Sequence, residues 1–125
     1  MTYVDGFVFV VKKKNVNDYV KMAKAAGKLW EKHGALKYVE CRGDDMHPKM
    51  GGKTIPLTFP KLVKLKADES VWFSFVVYNN KAHRDRVNKK VMSDPSMNAE
   101  NWKDKPMPFD VKKMAYGGFQ SLVDL

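Results

Sequence analysis

Cysteine is nearly absent: Cys41 stands alone. A lone thiol excludes an internal disulfide framework and fits a reducing compartment. Arginine is scarce too. Of 23 basic residues only Arg42, Arg84 and Arg86 are arginine, the side chain that reads guanine and phosphate bidentately. The net charge of +9 and a pI of about 9.6 permit an acidic partner or nucleic acid. The lysines are scattered, however, and Lys12–Lys14 is their one triplet. The charge therefore reads first as a solvated surface, with a basic interaction module binding nucleic acid or another acidic partner as the alternative. No apolar run approaches the roughly 20 residues of a membrane helix. In MTYVDGFVFVVKKK the charges follow the apolar segment, the reverse of a secretory signal. A cytoplasmic protein without a membrane partner is the expectation. No Ser–His–Asp order, phosphate loop, dinucleotide-binding glycine signature or haem-attachment motif is visible. Asp44, Asp45 and His47, near Cys41, are metal-ligand types, but a second Cys or His pair is missing. No cofactor is implied.

What is present is enough apolar material for one domain over residues 1–125, with 44% hydrophobic and 30% charged residues. The organising stretch is Ser70–Asp94. Val71–Tyr78 is a run of branched and aromatic side chains suited to a central strand. Asn79 and Asn80 end it and can cap a helix. That helix carries His83, Val87 and Val91 on one stripe.

Taken in order, Tyr3–Val11 predicts a strand with two largely apolar faces: Tyr3, Asp5, Phe7, Phe9 and Val11, and Val4, Gly6, Val8 and Val10. Gly6 implies a bulge or a close approach. Asn15 is the expected cap of a first helix with Val16, Tyr19, Val20, Ala23, Ala26, Gly27 and Trp30 on its buried stripe, closed by a left-handed Gly34. Leu36–Arg42 is the second strand, with Tyr38, Glu40 and Arg42 on one face. Gly43–Pro60 is the longest irregular region, the length of a lid, binding loop or mobile segment. Lys61–Lys66 alternates like a short strand, hairpinned to Val71–Tyr78. Asp94–Pro95 restarts a short helix or turn through about Trp102. Lys103–Asp110 is too proline-rich for regular structure. Lys112–Leu122 supplies the last strand, its Gly117–Gly118 allowing a bulge or close approach.

This order is α+β: the ferredoxin-like β-α-β-β-α-β unit, an antiparallel sheet with both helices on one face. Two helices cannot cover both apolar faces of the first strand. A second copy laid sheet against sheet, a homodimer, is the simplest cover.

The segments YVDGF at Tyr3–Phe7, GKLWEKHGAL at Gly27–Leu36, HRDRVNKKVMSDP at His83–Pro95, PMPFD at Pro106–Asp110 and GGFQSLVDL at Gly117–Leu125 resemble the bacterial YbaA-like family, domain of unknown function 1428. The resemblance implies a dimeric α/β barrel. That wider group includes cofactor-independent monooxygenases, haem-degrading enzymes, chlorite dismutases and small-ligand regulators. By fold analogy it directs attention to the helix–sheet cleft.

A small organic molecule bound or transformed in that cleft is the leading functional expectation. His83 and His33 are candidate proton carriers, since imidazole titrates nearest neutrality. Each has a plainer role: a hydrogen-bonded packing residue for His83, and a partner of the helix dipole for His33. Asp5 is either a strand-end carboxylate reaching water or lysine, or a pocket base. Glu40 is either a cross-strand ion-pair member or a second pocket acid. Asp5 or Glu40 could orient a histidine. Trp30, Tyr38, Phe73 and Phe75 are candidate lining, and Arg84 a candidate anion anchor.

Overall fold

The computed structural model describes residues 1–98 and 108–125. Its elements are β1 (Tyr3–Lys12), α1 (Val16–Lys32), β2 (Lys37–Arg42), β3 (Lys49–Met50), β4 (Lys53–Thr54), α2 (Phe59–Leu62), β5 (Glu69–Tyr78), α3 (Lys81–Met92) and β6 (Ala115–Gln120). The main sheet has the order β2-β5-β1-β6 with every neighbouring pair antiparallel. With α1 joining β1 to β2 and α3 joining β5 to β6, this is the ferredoxin-like arrangement.

The period-two pattern of β1 decides what lies where. Phe7, Phe9 and Val11 face the helices beside Trp72, Val76 and Tyr78 of β5. Tyr19 and Ala23 of α1 close one core cluster, and Val87 and Val91 of α3 close another. The opposite face carries Val8 and Val10 of β1, opposite Phe73 and Val71 of β5. Val63, Leu65 and Met46 cover its Val10–Val71 end. The other end stays open, with Phe73 45% and Phe119 62% exposed. Among the described residues, then, Val63, Leu65 and Met46 cover part of the second apolar face, and Phe73 and Phe119 on the rest are exposed.

The covering segment is not the strand that its alternation predicts. Thr58 caps α2 by accepting from the backbone N–H of Lys61, and Pro60 stands in the first turn. The helix ends in a Schellman motif: Lys64 N–H bonds the Lys61 carbonyl and Leu65 N–H the Pro60 carbonyl. Val63 and Leu65 alternate because both pack over Val10 and Val71, with Lys64 turned outward at φ 51°. A side chain in that left-handed conformation is unfavourable, so Lys64→Gly is expected to raise stability by about 0.5–1 kcal/mol, read from urea unfolding.

Other expectations are corrected locally. The Gly43–Pro60 region contains the β3–β4 hairpin, whose Gly51 and Gly52 have φ 58° and 78°, a type I′ turn. Asn15 makes no side-chain cap bond; the Val16 N–H is taken by the Lys13 carbonyl of a 3-10 turn, Lys13–Asn15. Gly34, at φ 111°, does close α1, and Asn80 does cap α3, accepting from His83 N–H. Asp94 caps only a 3-10 turn, Pro95–Met97. The continuation expected to Trp102, and most of the irregular Lys103–Asp110, lie outside the described residues. The last strand is shorter than Lys112–Leu122, because Asp110 caps a 3-10 turn, Val111–Lys113, ahead of it. Pairing is continuous past Gly6, Gly117 and Gly118, so none of them forms a bulge, and close approach explains Gly6 and Gly118. A Cβ on Gly6 would stand 3.3 Å from the Phe119 ring, and one on Gly118 would collide with Tyr3.

Candidate functional site

A groove of about 650 Å³ runs between α1 and the edge strand β2. Its walls are Val16, Val20, Ala23 and Gly27 on the helix and Tyr38, Glu40 and Trp72 on the sheet. Helix and sheet approach closely because Gly27 has no side chain: a Cβ there would lie 2.8 Å from Tyr38 Cδ1. Gly27→Ala would stabilise an unobstructed helix by about 1 kcal/mol. Here the clash is expected to reverse the sign, for a net loss of about 1 kcal/mol in urea unfolding. In a Tyr38→Ala background the same change should stabilise.

Glu40 is the chemical centre of the groove. The Tyr19 hydroxyl donates to its Oε2 and the Tyr38 hydroxyl to its Oε1, both at 2.8 Å. Burial pushes the Glu40 carboxyl above its ordinary value, and the two tyrosine bonds offset this only in part. Both phenols are held well above the usual tyrosine range, first by burial and then by the Glu40 charge. They remain neutral donors. Among the described residues Glu40 has no cationic partner, and its cross-strand neighbour is Ser74, so it is no ion-pair member. A carboxylate so placed can accept a further hydrogen bond, or a proton, from a group entering the groove.

Asp5 belongs to a different cluster. It is 2% exposed, and Arg84 Nη1 lies 2.7 Å from its Oδ1. Burial raises its pKa, while the Arg84 charge and bonds from Tyr116, Arg84 and Tyr78 pull it down. Arg84 also donates to the Tyr116 hydroxyl and to Asp85, and its guanidinium lies over the Tyr3 ring. Asp5 therefore reaches neither water nor lysine, and the charge of Arg84 is already answered within the fold.

The histidines lie elsewhere again. His33 Nε2 is 2.8 Å from Asp94 Oδ2, which Lys32 also reaches. Backbone and side-chain bonds from Ser96 and His33 hold the Asp94 carboxyl well below its usual range. His83 Nδ1 accepts the Asn79 N–H while Asn80 accepts the His83 N–H, a reciprocal bridge resembling a capping box. A ring that accepts at Nδ1 carries its proton on Nε2. The carboxylate that orients a histidine is thus Asp94, in place of Asp5 or Glu40.

Of the candidates, Tyr38 and Glu40 line the groove. Trp30 packs in the core, its Nε1 donating to Asn88, and Phe73 and Phe75 lie on the face away from the helices. Sequence reading missed Trp72 as a lining residue and Tyr19 as a donor to Glu40. A signal existed for Tyr19: it carries the one hydroxyl on the α1 stripe, and a carboxylate on the helix-facing side of β2 needs a donor. Among the described residues no three of His, Cys, Asp and Glu converge as a metal site, and no helix is long and apolar enough to cross a membrane.

Residues 2–111 match the family model described as "Protein of unknown function (DUF1428)". The chain belongs to the DUF1428 family. Uncharacterized protein YbaA of Escherichia coli (strain K12) is 42% identical over 124 residues, covering 99% of each chain, and the protein of that name from Shigella flexneri matches to the same extent. Among solved structures, a dimeric ferredoxin-like protein from an uncultured marine organism superposes over 100% of both chains with a TM-score of 0.60 at 8% identity. An uncharacterized NIPSNAP-like domain protein from Burkholderia xenovorans gives 0.51 at 10% identity, over 97% of this chain and 85% of its own. At such identities the likeness establishes the fold alone. The whole α1–β2 groove of this DUF1428 chain lies inside the matched residues.

Proposed function

We propose that this protein is a cytoplasmic homodimer, each subunit of which binds a small organic molecule in its α1–β2 groove, with Glu40 as the group that takes a hydrogen bond or a proton from it. One observation carries the reading: a carboxyl raised by burial, gripped by two tyrosine hydroxyls, in a groove that Val16, Val20, Ala23, Gly27 and Trp72 also line. Cytoplasmic placement rests on the lone cysteine. The homodimer is supported by the open end of the outer sheet face, and the marine ferredoxin-like neighbour, itself dimeric, offers the pattern.

Glu40→Gln tests the role of the carboxyl. An acid whose folded pKa is raised makes stability fall as pH rises through the window above its ordinary value of 4.5. The amide variant lacks that penalty, so its stability relative to the natural protein should improve from pH about 5 to about 8. Small organic compounds would be screened for shifts in the amide resonances of Gly27 and Glu40. The variant is expected to bind a groove ligand at least about tenfold more weakly, the loss of one charged hydrogen bond. Equal affinity in Glu40→Gln, or a broad screen that moves no groove amide, would refute the proposal.

A further inference from the structure

We infer that the ligand of the groove is an organic anion, with a hydroxyl or uncharged N–H donor directed at Glu40 and its negative group at the mouth. This rests on the groove being a binding site, and it adds the ligand's chemical class. The mouth carries Lys24 and Lys28, one turn apart on α1, and Arg42, two residues beyond Glu40 on the same face of β2. Glu31 is the one acid among them. All three cations are exposed, and among the described residues none has an ion-pair partner. Elsewhere the fold uses its carboxylates to answer cations: Asp5 for Arg84, Asp94 for Lys32, Glu69 for Lys113. Here it leaves three exposed cations at the rim of a groove that Val16, Val20, Ala23 and Trp72 also line. Lys24 and Lys28 also repel each other, and like charges at that spacing weaken a helix slightly. An anion seated between them relieves the repulsion. The interior asks for the opposite end of the molecule: Val20, Ala23 and Trp72 for an apolar body, and the Glu40 oxygens for a donor. A cationic ligand would place its charge among three cations, and a neutral one would leave them unanswered.

The probes are two dyes with the same aromatic body and N–H donor: 6-anilinonaphthalene-2-sulfonate, whose sulfonate lies at the far end of the naphthalene from its N–H, and the uncharged N-phenyl-2-naphthylamine. Fluorescence titration of the full chain gives affinities, and amide resonance shifts give location. The sulfonate is expected to move Gly27, Tyr38 and Glu40 and to bind about tenfold tighter than the neutral dye, the combined effect of three exposed ion pairs. That advantage should vanish between about 50 and about 500 mM salt. The surface triple variant Lys24→Gln, Lys28→Gln, Arg42→Gln should weaken the sulfonate about tenfold more than the neutral dye. If both dyes occupy the groove with equal affinity, the anion inference is overturned while the groove reading stands. If both shift only Phe73, Phe75 and Phe119, or nothing, the groove reading itself is overturned.

Discussion

Replacing Arg84 with methionine is expected to cost about 3 kcal/mol of stability at pH 7, because it strands the Asp5 carboxylate in the interior. Methionine retains an apolar stem to pack against Tyr3 but removes the bonds to Asp5 and Tyr116. Asp5 is 2% exposed and cannot recover its hydration. The figure stands at the low end for a broken buried pair, because the Arg84 side chain keeps 13% of its own surface in water. The pH dependence identifies the cause. The folded pKa of Asp5 is already raised by burial, and Arg84 is the largest influence lowering it. Without Arg84 that pKa rises further. The folded state then holds the Asp5 proton more tightly than the unfolded chain over a wider window above 3.8, and stability falls as pH rises through it. The deficit of Arg84→Met in urea unfolding should therefore be smaller at pH about 5 than at pH about 8. Adding Asp5→Asn should recover most of it at the higher pH. A deficit independent of pH would mean that packing on Tyr3, and not the buried charge, is what Arg84 contributes.

The fold was legible from sequence wherever one residue's chemistry settles local structure. The two largely apolar faces of Tyr3–Val11 and the ring-rich run Val71–Tyr78 marked the two inner strands, because an inner strand that is apolar on both faces carries apolar side chains at successive positions. Asn80 could be read as a cap and Gly34 as a left-handed stop, since each acts within one turn. The reading failed where alternation had a tertiary cause. Val63 and Leu65 share one face through a Schellman turn at Lys64, which period-two counting cannot separate from a strand. The site was legible only in part for the same reason. Parity put Tyr38, Glu40 and Arg42 on one face of β2, without saying that this face meets α1. That Glu40 meets Tyr19 rather than a lysine depends on the depth at which α1 sits, and this is set by Gly27 against the Tyr38 ring. His83 drew attention as a polar group heading an apolar stripe, a pattern shared by pocket histidines and capping ones. Its two bonds to the Asn79–Asn80 turn become visible only with the helix start in place.

Phe73→Lys is expected to convert the protein from a species of twice the 14.4 kDa chain mass to one of that mass in sedimentation equilibrium. Phe73 stands between Val8 and Cys41 in the sheet, on the outer face, with Phe119 exposed farther toward the β6 edge. A two-fold interface buries each such residue twice. Removing a phenylalanine from it forfeits about 1.5–3 kcal/mol per copy, so the dimer should weaken at least about a hundredfold. Two lysines brought together add repulsion to that loss. Phe119→Lys should act in the same direction. It should also lower monomer stability slightly, because its ring lies over Gly6 and Gly117. Met92→Lys is the control: Met92 is comparably exposed, at 61%, but it sits on α3, on the opposite side of the sheet. The same experiment bears on the basic-module alternative, since RNA-binding sheets of this topology use their open aromatic face. If the natural protein sediments as a monomer, the homodimer reading fails and that face is free. If in addition it binds single-stranded RNA, and Phe73→Lys alters that binding while Met92→Lys does not, the outer face is a nucleic-acid surface. If it sediments as a dimer that Phe73→Lys splits and Met92→Lys leaves intact, the outer face is the interface, and the α1–β2 groove is left open on the far side of each sheet.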